Sequence, residues 1–317
     1  MARRWLWLVI AAVIGVAAFS MVGDLRGIGD RLGGFAWPAF AAACALALTN
    51  YALRFFRWQI YLRRQDVRVP ASSSAIVFMA GLSLSITPAK LGELVKSYLL
   101  REMHAVPAPK TAPIVVAERV SDLIALLVLA VIGVAVYGVD PSLVVAAGAL
   151  IAVGLVMLAW QRPTRWLIDL ATSPARLRRL RAPLHETLVG LSALCRPGPL
   201  LVATLIAVPA WGCECIGFAL ICNAFPDAHV HLGLATVIYA GTTIAGALSF
   251  LPGGLGVTEG AMTLALVRGA SKLAPSTAVA ATLLTRLATL WFAVLLGVIF
   301  LALARRRIAR IQGRSET

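Results

Sequence analysis

Eight stretches without a charged side chain constrain this chain more than any other feature: residues 5–22, 36–53, 72–89, 124–139, 141–160, 198–213, 232–258 and 287–304. At about 1.5 Å of rise per residue, most are long enough as helices to cross a hydrocarbon layer about 30 Å thick. Hydrocarbon offers no partners to backbone N–H and C=O groups, so runs of this length must satisfy them internally. The fold class is therefore an all-α polytopic membrane protein. Composition agrees, since 60% hydrophobic against 14% charged residues is more apolar than a soluble domain of 317 residues requires.

The formal charge of +15 raises the question of nucleic acid. Lys and Arg, however, cluster between apolar runs rather than interleaving with aromatics, so the charge reads as topology and no nucleic-acid partner is expected. The clusters are Arg3 with Arg4; Arg54, Arg57, Arg63, Arg64 and Arg68; Arg162 to Arg196; and Arg305 to Arg314. All four are assigned to the cytoplasm, which puts both termini there. Arg26, Arg31, Arg268 and Lys272 are the basic residues left outside, beside Asp24, Asp30, Asp140 and Asp227. The run 5–22 follows two arginines like a secretory signal, but at 18 residues it reads as an uncleaved first helix.

Parity then shapes the rest. Between the second and third clusters, 112–139 and 141–160 supply two crossings, so 72–103 must enter and return on one side. Between the third and fourth, 198–223 and 276–304 supply two, so 232–258 must do the same. The expectation is six full spans plus two re-entrant hairpins. Each hairpin has a helix-breaking turn, Pro88 with Gly92 in the first and Pro252, Gly253, Gly254 and Gly256 in the second.

The turns also match each other. Residues 85–92 align without a gap on 249–256, Glu93 pairs with Glu259 after a two-residue insertion, and 117–123 resembles 284–290, which superimposes Arg119 on Arg286. The two following helices run in opposite directions, so the halves are inverted repeats, an architecture recurrent in secondary transporters. The domain organisation is one membrane domain, 1–317, with a first repeat at 36–139, a second at 198–304 and a basic cytoplasmic connector at 161–197. Within the connector, Arg176, Arg178, Arg179 and Arg181 with Leu177 and Leu180 form a stretch suited to an anionic leaflet.

Arg119 and Arg286 lie about 10 and 15 Å into their spans, counted from opposite ends, and an isolated Arg there costs at least about 2.5 kcal/mol. Glu118, Arg119 and Asp122 share one helix, while Lys90, Glu93 and Glu259 approach from the turns. These seven residues are the candidate substrate-binding set. In one reading the arginines hold headgroup phosphate as bidentate donors, with Glu93 and Glu259 holding the empty site or meeting an amine. In the other, Arg–Glu pairs only pin the hairpin tips.

Glu214 is a further intramembrane acid and a candidate proton relay. Asp227, His229 and His231 read as an interfacial loop rather than a metal site. Cys44, Cys195, Cys213, Cys215 and Cys222 show no paired spacing and read as inert thiols. No metal or cofactor is called for.

The stretch 83–122, with its Thr-Pro-x-x-x-Gly-Glu turn and Glu-Arg-x-x-Asp helix, and the Leu-Pro-Gly-Gly-Leu-Gly-x-x-Glu-Gly of 251–260 resemble the flippase-like membrane domain of lysylphosphatidylglycerol synthases. The resemblance covers essentially the whole chain. It implies lipid translocation in a bacterial cytoplasmic (inner) membrane, with Pro88, Gly92, Glu93, Glu118, Arg119, Asp122, Pro252, Gly253, Gly254, Gly256, Glu259 and Arg286 in motif positions. In full-length synthases a soluble aminoacyltransferase domain follows; here the chain stops at Thr317, so no aminoacyl transfer is expected. The partners implied are membrane lipids with an anionic or amine-bearing headgroup. Two rivals stay open: a secondary transporter of a small charged solute, and an enzyme or accessory subunit acting on polyprenyl-lipid or glycolipid intermediates. For the latter the residues supply no nucleophile with an adjacent base and no phosphate-binding loop.

Overall fold

The computed structural model describes residues 29, 31–138, 142–159, 161–174, 177–226, 228–269 and 271–314. The expected first helix at 5–22, the cluster Arg3 and Arg4, and Arg26, Asp24, Asp30, Asp140, Arg176 and Asp227 lie outside them. Among the described residues the chain is helical, with no β-strand.

The first half opens with α1 (Trp37–Arg64), started by Pro38 in its first turn. Next come α2 (Ala71–Leu82), a 3₁₀ turn at Pro88–Leu94, α3 (Val95–His104) and α4 (Ala108–Tyr137). After the apolar α5 (Ser142–Ala159), α6 (Gln161–Ala171) and α7 (Arg181–Leu194) form the connector. The second half comprises α8 (Pro197–Asn223), α9 (Leu232–Leu248), a 3₁₀ turn at Pro252–Gly254, α10 (Val257–Arg268), α11 (Pro275–Arg286), a π-helical turn at Leu287–Trp291 and α12 (Phe292–Arg314).

Among the described residues four helices are long and apolar enough to cross a membrane: Trp37–Arg64, Ala108–Tyr137, Pro197–Asn223 and the continuous Pro275–Ile311. Ala71–Leu82 and Leu232–Leu248 are apolar but shorter. The distribution of side chains is inside-out. Phe56, Val136, Leu205 and Leu295 are about 60% exposed, whereas Arg57, Glu93, Lys96 and Glu118 are at most 1% exposed. Water would reverse that arrangement, and hydrocarbon around the outside explains it.

The helix that opens each half packs along the other, α1 along α8; α2 lies against α12 and, reciprocally, α9 against α4; the two 3₁₀ turns meet. The meeting is close, for a Cβ on Gly253 would stand 3.2 Å from Ile86 Cγ1, and Gly253 holds φ at +61°, where a side chain is already strained. The α2–α12 seam is tighter still. A Cβ on Gly297 would fall 2.1 Å from the backbone nitrogen of Ser83, so Gly297→Ala must push two helices apart. We expect it to lower stability by about 1–3 kcal/mol, read as a fall in melting temperature in detergent.

Each turn has a local cause. In the first, Thr87 is extended before Pro88, and its Oγ1 accepts from Gly92 N at 2.6 Å. In the second, Phe250, Gly253, Gly254 and Gly256 all take positive φ, and Glu259 folds back to accept from Gly256 N at 2.7 Å, capping α10.

Candidate functional site

The turns, α1, α4, α8, α9 and the α11–α12 junction surround a cavity of about 360 Å³, within the size range of small-molecule sites. Arg54, Lys90, Arg119, Asp122, Glu214 and Arg286 supply its charged lining. Leu91, Leu248, Phe250 and Leu251 line it too, and all four are exposed at the surface, so an apolar rim adjoins a charged interior.

A buried ion network stands behind the first turn. Glu93 Oε2 lies 3.1 Å from Lys96 Nζ and 3.4 Å from Arg119 Nη2, while its Oε1 accepts from Ser85 and lies 3.7 Å from Arg54. Lys96 also bonds Glu118 and lies over the Trp58 ring, 4.8 Å from its centroid. Asp122 meets Arg57 at 2.8 Å and Arg119 at 3.1 Å, and accepts from Trp211 Nε1 at 3.0 Å. Four cations (Arg54, Arg57, Lys96, Arg119) thus face three carboxylates (Glu93, Glu118, Asp122). Among the described residues Nε and Nη2 of Arg54 and Nε of Arg119 have no hydrogen-bond partner, although both side chains line the cavity.

The second turn repeats the scheme in simpler form. Arg286 donates through Nε to Glu259 Oε1 at 2.6 Å and through Nη2 to the Gly253 carbonyl at 2.7 Å. The guanidinium thereby fastens α11 to both the turn and the first helical turn of α10. A π-helical turn begins at the next residue, and such turns often mark functional positions.

The structure brings most of the expected residues together. Glu93 pairs with Arg119 and Glu259 with Arg286, and Lys90 reaches the cavity with Nζ 5.3 Å from the Trp211 ring centroid. Glu118 does not line the cavity; it is fully buried and turned to Lys96. Glu214 lines it and accepts from the Tyr239 hydroxyl. His231 caps α9 by accepting from Gly233 N at 3.1 Å.

One assignment is corrected. Arg54 and Arg57 are 4% and 0% exposed and belong to the interior, not to a solvated loop cluster. The reason is that α1 continues unbroken to Arg64, so residues three apart keep to its inner face and the loop charges begin at Arg63. Lys96 and Tyr239 went unread in the sequence. Lys96 stands three residues after Glu93, and that spacing was the available signal.

In the connector, Asp169 of α6 meets Arg181 at 2.6 Å and His185 at 2.8 Å on α7, tying the two helices together. Trp166, Leu167 and Leu170 of α6 are exposed.

Comparison with known proteins matches residues 5–297 to the family described as lysylphosphatidylglycerol synthase TM region. The chain belongs to that family. A UPF0104 membrane protein of Methanothermobacter thermautotrophicus is 26% identical over 318 residues, covering 92% of this chain and 93% of that relative. With its apolar spans, this chain is a multi-pass membrane protein of a lipid-related family.

Proposed function

We propose that this protein is a lipid flippase or lipid-binding transporter of the bacterial inner membrane, moving a charged-headgroup lipid between leaflets. The observation that carries the reading is the cavity itself: cationic inside, walled by both broken segments, and edged by exposed leucines and a phenylalanine. A headgroup would occupy the polar interior while acyl chains stayed against the apolar rim, in lipid. A small solute has no use for such a rim, which favours lipid over the solute transporter.

The topology proposed with it is six full spans and two re-entrant hairpins arranged as inverted repeats, both termini cytoplasmic. The reciprocal packing supports it, as do the short arms: α2, α3 and α10, at 12, 10 and 12 residues, extend only about 15–18 Å, roughly half of a 30 Å core. In this arrangement Lys90, Arg119 and Arg286 receive phosphate oxygens near the midplane, with Glu93 and Glu259 orienting the arginines.

Lys90 gives the cleanest test, because no carboxylate lies within ion-pair distance of it among the described residues and its removal orphans no acid. Lys90→Met is expected to fold as the parent does and to weaken retention of phospholipid about 10- to 100-fold, the worth of a charged hydrogen bond. Native mass spectrometry of the purified protein with its co-purifying lipids measures this. Equal lipid occupancy in both proteins would contradict the role of the cavity.

A further inference from the structure

The acids around the cavity are not equivalent. Glu93, Asp122 and Glu259 each have a guanidinium or ammonium within 4 Å. Glu214, 6% exposed, is the cavity-lining acid with no such partner among the described residues. Its hydrogen bond comes from the Tyr239 hydroxyl. A carboxyl group has lone pairs for more than one donor, so Glu214 keeps accepting capacity on the cavity side. Lys90 is its counterpart, a cavity-lining cation whose neighbour is the Trp211 ring. Trp211 and Glu214 are three residues apart on α8 and share a face, about 4.5 Å apart along the axis. A cation and an acid with no ion pair between them among the described residues therefore flank one turn of one helix.

Resting on the lipid-transport reading above, the geometry points to Glu214 and Tyr239 as the specificity pole of the cavity, selecting headgroups that carry a primary ammonium beside a phosphodiester. The phosphodiester lies toward Lys90, Arg54 and Arg119, the three cations that line that side of the cavity. The ammonium, stripped of water, donates to Glu214, which Tyr239 holds in place. A headgroup with phosphate and only hydroxyls leaves Glu214 facing added negative charge without a cation, and is disfavoured by electrostatic mismatch. The other acids do not serve this role, because an ammonium would have to displace an arginine or lysine already bound to them.

The test uses the full chain in liposomes, with phosphatidylethanolamine or phosphatidylglycerol labelled on an acyl chain so that the headgroup is intact. The parent protein is expected to transfer phosphatidylethanolamine about tenfold faster, the scale of one charged hydrogen bond. Glu214→Gln should bring the ratio near one, by slowing phosphatidylethanolamine and relieving the mismatch against phosphatidylglycerol, and Tyr239→Phe should reduce the ratio in the same direction. An unchanged ratio in both variants overturns the proposal. So does equal slowing of both lipids with loss of pH dependence, the signature of a proton relay. Should Glu214→Gln fail to fold, judged by melting temperature, the ratio of Tyr239→Phe decides. Water-soluble glycerophosphoethanolamine binding as tightly as the intact lipid would also overturn it, by making the ligand a solute. A parent protein that transfers neither lipid refutes lipid transport itself, an outcome distinct from loss of selectivity.

Discussion

Glu93→Ala is expected to cost about 3–5 kcal/mol of folding stability, the scale observed when one member of a buried ion pair is removed. Glu93 is 1% exposed and neutralises Lys96 and Arg119 while lying 3.7 Å from Arg54. Without it Lys96 keeps only Glu118, and four cations face two carboxylates in an apolar surround. Paired charges in such a place are often no better than neutral for stability, yet a broken set is costly because a charge remains unsolvated. The variant should therefore express poorly or melt early, with transport lost as a consequence. Denaturant titration in detergent checks this; stability within about 1 kcal/mol of the parent would mean the network relaxes or hydrates freely.

Arg286→Lys is expected to act the other way round, leaving stability near the parent's and cutting lipid transfer about 10- to 100-fold, the equivalent of one lost charged hydrogen bond. Arg286 bonds Glu259 and the Gly253 carbonyl from two different nitrogens of one plane. A lysine ammonium keeps the charge and satisfies Glu259, but its compact head does not span both partners and a phosphate oxygen as well. The second turn would then lose its tie to α11 while the ion pair survives. A lysine variant that transfers lipid at the parental rate would reduce Arg286 to a structural pin.

These two residues also show what could be read in advance. The pairings of Glu93 with Arg119 and of Glu259 with Arg286 were visible because each turn carries an acid and each following helix an arginine, in the same order twice. Pro88 and Pro252 located the breaks because proline removes a donor that a helix interior needs. Counting charges at the end of an apolar run puts Arg54 and Arg57 in a loop because it assumes that the helix stops there, and nothing between Arg54 and Arg63 stops α1. Glu118 was placed with Asp122 on spacing alone. Spacing gives a face but not the neighbour, and Lys96 of α3 takes Glu118 away from the cavity. The Glu214–Tyr239 contact joins α8 to α9 across 25 positions of sequence, and no local pattern announces it.

In the proposed mechanism lipid crosses between leaflets by way of the cavity between the two turns. The most direct test is transfer of an acyl-labelled phospholipid from one leaflet to the other in liposomes holding the purified protein, set against protein-free liposomes and liposomes holding Arg286→Lys. Transfer is expected to depend on the protein and to fall about 10- to 100-fold with the lysine variant at equal incorporation. Transfer no faster than in protein-free liposomes, across phospholipids with anionic and amine-bearing headgroups, would contradict it.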